Sequence, residues 1–107
     1  MVTRRFEIWL VTLDPAVGSE MRKMRPAVIV SPEEMNERLR TVIIAPLTSR
    51  GFEAPFRVSC RFEGKDGQIA IDHLRAVDKT RLARKLGELD APTAKAVLMV
   101  LGEMFGE

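Results

Sequence analysis

The residues best suited to chemistry lie in two short segments rich in basic and hydroxyl side chains. Residues 14–31 read DPAVGSEMRKMRPAVIVS, and residues 45–50 read APLTSR. In the first segment, Arg22, Lys23 and Arg25 form a basic cluster. An arginine side chain presents a planar fork of N–H donors that matches a phosphate. The first segment is therefore predicted to bind an anionic ligand.

The composition excludes most familiar enzyme designs. The chain has one His and one Cys, His73 and Cys60, which are too few nitrogen and sulfur ligands for a zinc site. It contains neither a glycine-rich phosphate loop nor a Gly-x-Ser-x-Gly elbow, and no cofactor is predicted. The remaining Arg, Thr, Ser, Asp and Glu side chains can support cleavage of RNA by its own 2′-hydroxyl. In that reaction the substrate supplies the nucleophile, so the protein has only to align it, stabilise charge and move protons.

Length and charge limit the number of domains and the kinds of partner that the protein can have. With 107 residues, the chain is expected to form one domain over 1–107. The 17 basic and 15 acidic side chains give a net charge of only +2, which does not by itself imply nucleic acid. A core this small gains stability from association, so a homodimer is expected. No signal peptide or membrane-spanning apolar run is recognised, and a cytoplasmic protein is expected.

The pattern of apolar residues predicts a mainly β protein. Strands are predicted over 5–13, 27–31, 41–46, 56–61 and 68–77, the last as one long strand or two short ones. Short strands joined by turns, without a helix after each strand, favour an antiparallel, partly closed barrel with one C-terminal helix.

Capping residues mark the helical segments. Ser31 is predicted to cap a short helix, with Pro32 at its first position. Asp78 is predicted to cap a short turn over residues 79–84, and Asp90 to cap the terminal helix.

The terminal helix is predicted to be amphipathic. Its apolar stripe consists of Ala94, Val97, Leu98, Leu101, Met104 and Phe105. Met99 and Val100 lie off this stripe, which suggests that the helix also contacts a partner.

Four sequence blocks, in this order, resemble the MazF/PemK family of toxin endoribonucleases: WLVTLDPAVGSEMRKMRPAVIVS, VIIAPLTSR, AIDHLRAVDKTRL and LGEL. The resemblance covers nearly the whole chain. It implies a homodimeric SH3-like barrel of the CcdB/PemK type that cuts single-stranded RNA at short sequences without a metal. The products would be a 2′,3′-cyclic phosphate and a 5′-hydroxyl. It also implies a cognate MazE-like antitoxin that holds the enzyme inactive.

The resemblance assigns catalytic roles to three residues. Arg25 matches the catalytic Arg of the motif that ends RPAVVVS, and Thr48 matches the catalytic Thr of the PLTS motif. A guanidinium stays protonated and is a poor general base, so Arg25 is expected to stabilise phosphate charge and to donate a proton to the departing 5′-oxygen. Thr48 is expected to donate to a phosphate oxygen. Glu20 matches the acid of the GSEQ motif, although Met21 stands where Gln is usual. Glu20 is expected either to orient Arg25 or accept a proton, or to be a loop carboxylate that repels wrong ligands.

RNA-binding residues are predicted around these three. They are Gly18, Ser19, Arg22, Lys23, Ser49, Phe52, Phe56 and Asp72. The basic pair Arg22 and Lys23 is expected to contact phosphates beside the scissile one. Phe52 and Phe56 are expected to stack a splayed base. Ser49 either contributes to the site or caps the turn that follows it.

The segment around Asp72 departs from the family pattern. His73 stands where Gln is common, and a lone His at a strand end is more often structural than catalytic. Some PemK-type members use an Arg two residues before the Asp as their main acid or base. Ala70 occupies that position, so that version of the mechanism is not available to this chain.

Two other functions are compatible with the same fold. One is a CcdB-like protein that poisons DNA gyrase through its terminal helix, without catalysis. The other is an SH3-like barrel that binds RNA without cutting it. Arg25 and Thr48 in their motifs favour the enzyme, because a gyrase poison has no need of them.

Overall fold

The computed structural model describes residues 2–13, 24–49 and 54–106 of the chain. In these residues it contains strands β1 (Glu7–Thr12), β2 (Met24–Ile29), β3 (Thr41–Ser49), β4 (Arg57–Phe62), β5 (Lys65–Ala70), β6 (Arg75–Asp78) and β7 (Leu82–Glu88), and helices α1 (Glu33–Arg38) and α2 (Ala91–Phe105). Short 3₁₀ turns lie at Ile71–His73 and Lys79–Arg81.

All strands pair antiparallel in one sheet of order β4-β5-β3-β2-β1-β7, and β6 pairs with β3. Strand β3 lies at the centre, with β2 on one side and β5 and β6 along the other. The sheet does not close between β4 and β7 in the described residues. This arrangement confirms the predicted fold class, a mainly β, partly closed antiparallel barrel with a C-terminal helix.

The central strands β1, β2 and β3 are buried on both faces. Side chains on one face form a cluster with Val97 of α2. The cluster consists of Ile8, Val28, Val30, Ala45, Leu47, Val58, Ile69, Ile71 and Val97. The opposite face forms a second cluster of Trp9, Val11, Ala27, Ile29, Val42, Ile44, Val77 and Leu82. Successive residues of a strand point to opposite faces, so the strand register decides which cluster each side chain joins.

A buried carboxylate joins β1 to β7. Glu7 is 4% exposed, and its carboxylate accepts hydrogen bonds from the backbone of Arg4 at 2.8 Å and from Trp9 Nε1 at 3.1 Å. Lys85 Nζ lies 2.9 Å from the second oxygen. Burial alone would raise the pKa of Glu7, but the hydrogen bonds from Lys85, Arg4 and Trp9 outweigh it and lower that pKa.

Strand β2 begins three residues earlier than the predicted residue 27, so Pro26 is inside the strand. Pro26 pairs with Leu10 of β1, whereas pairing with β3 begins only at Ala27. The missing N–H of Pro26 therefore removes no bond to β3. The longer strand brings Arg25 into the sheet.

The prediction that Ser31 caps α1 is wrong. Helix α1 begins at Glu33, and Pro32 occupies the capping position without a side-chain hydrogen bond. The Ser31 hydroxyl instead donates to Asn36 Oδ1 and accepts from the backbone N–H of Ile43 at 3.1 Å. Ser31 therefore ties α1 to β3.

Strand β7 was not predicted. The segment 79–84 was expected to be a turn, but the turn ends at Arg81 and the strand follows it. Asp78 does cap the turn, because its carboxylate accepts from the N–H of Thr80 at 2.9 Å. The sequence of β7, LARKLGE, lacks an apolar alternation because the strand lies at the edge of the sheet, where charged residues are tolerated.

Helix α2 begins as predicted, with Asp90 accepting a hydrogen bond from the N–H of Thr93 at 2.8 Å. The predicted apolar stripe is only partly correct. Val100 packs on the core, whereas Leu98 and Phe105 are 41% and 73% exposed. Of the helices in the described residues, neither is long and apolar enough to cross a membrane.

Candidate active site

Strand pairing brings Arg25 and Thr48 to the same region of the fold. In the β2–β3 ladder, Ala27 pairs with Pro46. The pairing ends there, and the same register continued by two residues would set Arg25 of β2 opposite Thr48 of β3. Pro26 and Thr48 line one groove, so Arg25 and Thr48 lie in the same region of the fold although 22 residues separate them in sequence.

The two side chains also leave the sheet on the same face. Arg25 lies two residues before Ala27 on β2, and Thr48 lies four residues after Ile44 on β3. Residues an even number of positions apart in a strand point to the same face. Ala27 and Ile44 belong to the same buried cluster, so Arg25 and Thr48 lie on that face, beyond the end of the cluster. Arg25 is exposed and Thr48 is half-buried, so a ligand can reach both.

Thr48 continues into a row of polar residues across the sheet. It pairs with Gln68 of β5, which pairs in turn with Ser59 of β4. The Thr48 hydroxyl donates to the backbone oxygen of Gln68 at 3.5 Å, which is long for a hydroxyl hydrogen bond. The hydroxyl is therefore free to turn towards a phosphate oxygen.

Gln68 pairs with Thr48 and is a candidate site residue that the sequence analysis did not name. Its side chain is 5% exposed, and its Oε1 has no hydrogen-bond partner among the described residues. A buried acceptor without a partner costs free energy, so its presence beside Thr48 is typical of a functional site. The sequence signal was a Gln at a buried strand position, but only the register shows that it adjoins Thr48.

Gly67 holds β5 close to the backbone of Thr48. A Cβ added at Gly67 would lie 2.8 Å from the Thr48 carbonyl oxygen, which is closer than real Cβ atoms approach. Gly67 lies just outside the strand predicted over 68–77, but it belongs to β5, opposite Ser49. The turn between β4 and β5 is only Glu63 and Gly64, both with positive φ as a two-residue hairpin requires.

Ser49 is exposed at the end of β3. It lines a groove of about 260 Å³ together with Pro26, Leu47, Thr48, Phe62, Glu63, Lys65, Asp66 and Gly67. Ser49 therefore lies beside Thr48 in this groove, whereas the turn that it was alternatively predicted to cap falls outside the described residues.

Asp72 is engaged by an arginine that the sequence analysis did not single out. Arg57 donates from Nε to Asp72 Oδ1 at 3.1 Å and from Nη2 to Oδ2 at 3.3 Å. His73 Nε2 lies 3.5 Å from the same Oδ2. The hydrogen bonds from Arg57, with smaller contributions from its charge and from His73, lower the pKa of Asp72. The only sequence signal was the position of Arg57 on the wet face of a strand.

Phe56 precedes Arg57 and is 39% exposed. Its backbone has a φ of 62°, in the left-handed region that non-glycine residues seldom adopt, and its carbonyl accepts from the N–H of Ile71 at 3.1 Å. Such strain persists only where neighbouring contacts hold it, which is common at ligand sites. The other predicted site residues lie outside the described residues: Gly18, Ser19, Glu20, Arg22, Lys23 and Phe52.

Metal and thiol chemistry find no support in the described part of the chain. Residues 2–13, 24–49 and 54–106 contain no group of three His, Cys, Asp or Glu side chains that could hold a metal ion. Burial raises the pKa of the Cys60 thiol, which makes it a poor nucleophile.

The match to known proteins decides the family. A family model described as "PemK-like, MazF-like toxin of type II toxin-antitoxin system" matches residues 4–105. This chain belongs to the PemK/MazF toxin family. The match confirms the family that the four sequence blocks predicted.

Individual MazF proteins resemble the chain over most of its length. The chain is 34% identical over 100 residues to "Endoribonuclease MazF" of Staphylococcus saprophyticus, covering 88% of this chain and 83% of that protein. The crystal structure of MazF from Deinococcus radiodurans is 29% identical, with a TM-score of 0.80, and the match covers 100% of this chain and 99% of that one. A MazE–MazF structure from the same organism is 30% identical, with a TM-score of 0.83, over 99% of this chain and 97% of that one.

Proposed function

We propose that this chain is a toxin endoribonuclease that cuts single-stranded RNA, without a metal ion, by attack of the substrate's own 2′-hydroxyl on the adjacent phosphate. The products are a 2′,3′-cyclic phosphate and a 5′-hydroxyl end. The observation that supports the proposal is the β2–β3 register, which ends at Ala27 and Pro46 and, continued by two residues, would set Arg25 opposite Thr48 on one face of the sheet. The Staphylococcus relative, named an endoribonuclease, supports it.

Arg25 contributes by electrostatic stabilisation. It lies at an exposed position where its guanidinium can present two parallel N–H donors to a phosphate. Negative charge builds up on the phosphate oxygens in the transition state, and a fixed cation there lowers the barrier. The same group donates a proton to the departing 5′-oxygen.

Thr48 contributes a second donor from the adjacent strand. Its hydroxyl exchanges the long bond to the Gln68 carbonyl oxygen for a shorter bond to a phosphate oxygen. Glu20 is our candidate for the group that orients Arg25 or accepts the proton of the 2′-hydroxyl. Donors on two neighbouring strands hold the phosphate between them, which aligns it with the attacking oxygen.

Protein partners form part of the proposal. The chain acts in the cytoplasm as a homodimer, and a cognate MazE-like antitoxin neutralises it. The MazE–MazF structures from Deinococcus radiodurans support an antitoxin partner. The antitoxin would lay an extended acidic tail over the basic face that carries Arg25, where its carboxylates occupy phosphate positions.

The two alternative functions are less well supported. A gyrase poison does not use Arg25 and Thr48, and the family model and the Staphylococcus relative are MazF-like. An RNA-binding barrel without turnover would bind the same substrate, so only a cleavage assay separates it from the enzyme.

The test is incubation of the purified protein with a long single-stranded RNA in excess EDTA. Discrete fragments with 5′-hydroxyl ends are expected. Thr48→Val keeps the shape of the side chain but removes its donor, and should lower kcat by about 10²-fold, the usual effect of losing one transition-state donor. Thr41→Val, at the opposite end of β3, is the matched control and should cleave normally.

Several outcomes would contradict the proposal. Intact RNA from the wild-type protein would rule out the endoribonuclease, and loss of cleavage in EDTA would rule out the metal-independent reaction. A Thr48→Val enzyme with normal kcat would remove Thr48 from the mechanism. An Arg25→Lys enzyme with near-normal kcat would contradict the two-donor contact of Arg25, because lysine keeps the charge but lacks the fork.

A further inference from the structure

We propose that Arg57 binds a phosphate flanking the scissile one, and that Asp72 positions Arg57 for this contact. This inference rests on the proposed function, because it extends the RNA-binding face that carries Arg25 and Thr48. In it, Asp72 acts through Arg57 rather than by touching the RNA.

The strand register places Arg57 on the same face as Thr48. Thr48, Gln68 and Ser59 form one row across β3, β5 and β4. Arg57 precedes Ser59 by two residues on β4, so the two side chains leave the sheet on the same side. Arg57 lies two strands away from Thr48 and two residues before Ser59 on β4. The distance between the Cα atoms of Arg57 and Thr48 is therefore about 12 Å. A strand of RNA held at Thr48 can therefore reach Arg57.

The ion pair with Asp72 leaves half of the guanidinium available. Asp72 accepts from Nε and Nη2 of Arg57, which form one edge of the planar group. A guanidinium has five N–H donors, so the edge formed by Nη1 and the second N–H of Nη2 stays open. In the described part of the structure, Nη1 makes no hydrogen bond. The open edge can accept a phosphate with two parallel bonds.

Asp72 also reduces the cost of binding. The Arg57 side chain is only 17% exposed, and two hydrogen bonds fix the plane of its guanidinium. A flexible arginine loses side-chain entropy when it is immobilised on a ligand, and a pre-oriented one has already lost it. The arrangement therefore favours recognition of a phosphate at a fixed position.

A second arginine on the same strand shows what an unsupported ion pair looks like. Arg61 makes one contact with Asp66 at 3.5 Å, and the two side chains are 71% and 58% exposed. An exposed pair of this kind is screened by solvent and does not fix the side chain. The contrast indicates that the pairing of Arg57 with Asp72 is specific rather than a general property of β4.

Phe56 adds an aromatic surface beside the proposed phosphate contact. It is exposed, it adjoins Arg57 in the chain, and its backbone is held by the hydrogen bond from Ile71. A base attached to the bound phosphate could stack on this ring, as bases do in single-strand binding proteins. Phe56 and Arg57 together would form a subsite for one nucleotide.

The test measures the salt dependence of RNA binding. The probe is a 2′-O-methylated RNA oligonucleotide that spans a cleavage site mapped with the wild-type protein, because it lacks the attacking hydroxyl and is not cut. Arg57→Gln should weaken binding about tenfold at low salt. It should also reduce the slope of log K against log salt concentration by about 0.7, the contribution of one phosphate contact on a single strand.

Three further variants separate charge from geometry. Arg57→Lys keeps the charge but not the fork, so the salt slope should stay while affinity falls. Asp72→Asn should weaken binding although it removes a negative charge, because Arg57 loses its orientation. Arg38→Gln makes the same charge change as Arg57→Gln at an exposed position on α1 and should alter neither affinity nor slope. Thermal melting confirms that each variant is folded.

An unchanged salt slope in Arg57→Gln would overturn the inference, as would tighter binding by Asp72→Asn. If the wild-type protein cuts RNA but these variants behave like it, only this inference fails. If the wild-type protein neither cuts nor binds RNA, the proposed function fails as well. Arg57→Gln can be compared only if it is as stable as the wild-type protein. If it melts at a lower temperature and Arg57→Lys does not, the binding data for Arg57→Lys and Asp72→Asn decide whether Arg57 binds a phosphate.

Discussion

The close approach of Gly67 to Thr48 can be tested with a single methyl group. In Gly67→Ala, the new Cβ would lie 2.8 Å from the Thr48 carbonyl oxygen, whereas ordinary contacts begin at 3.4 Å. The two strands must therefore separate by about 0.6 Å at this point. Because the obstacle is backbone in the central strand, no side chain can swing away to relieve it.

The magnitude follows from two opposing effects. Forcing a methyl group into a packed site costs about 1–3 kcal/mol, whereas replacing Gly by Ala gains about 0.4–1 kcal/mol by restricting the unfolded chain. The net destabilisation should be about 1–2 kcal/mol, which lowers the Tm of a domain this size by about 5–15 °C. Because misplacing a catalytic group by about 1 Å can cost 10²-fold in rate, a shift of Thr48 should lower kcat at least about tenfold.

Gly87→Ala provides the matched control. Gly87 also lies in a strand, has no positive φ, and would place its Cβ with no atom within 4 Å. The Gly87→Ala protein should be more stable than the wild type by about 0.4–1 kcal/mol and should cleave RNA normally. The assay is thermal melting of both variants, followed by kcat measured well below both Tm values. If Gly67→Ala proves as stable and as active as Gly87→Ala, the reasoning about the β3–β5 contact is wrong.

Three further changes test other parts of the structure. Gln68→Met removes a buried acceptor without a partner in the described residues, so its urea midpoint should not fall while RNA cleavage slows; a lower midpoint with normal cleavage would contradict a functional role. Glu7→Gln should cost about 2 kcal/mol at pH 7. Since the pKa of Glu7 is lowered on folding, the full loss in the free energy of unfolding should be present above pH 4.5 and should shrink as the pH falls further. Urea unfolding above and below pH 4.5 measures this loss, and a loss that does not change with pH would refute the assignment. Val97→Ala should lose about 2 kcal/mol in the same assay without slowing cleavage, whereas Met99→Ala, at a position 59% exposed, should change neither quantity.

Features with local signals were predicted well from the sequence. The apolar run over residues 41–46 predicted a strand, and β3 occupies this segment and pairs with β2, β5 and β6. Asp90 was placed correctly as the cap of α2, because a cap depends on residues only three positions apart. The sequence blocks around Arg25 and Thr48 indicated the family.

Features that depend on distant contacts were not predicted. Strand β7 has a charged sequence and is a strand because β1 offers it an edge to pair with. Ser31 has the right type for a cap, but the hydroxyl bonds to Asn36 instead. Arg57 and Asp72 are 15 residues apart, and no local pattern indicates that they meet.

The sequence alone determined which side chains this protein has for phosphate chemistry and the order in which they occur. The tertiary structure decided that Arg25 and Thr48 lie on one face of the sheet, that Gly67 admits no side chain beside Thr48, and that Asp72 orients Arg57. The physical reason is that strand register is set by the packing of both faces of the sheet. A slip of one residue would turn every side chain of a strand to the opposite face.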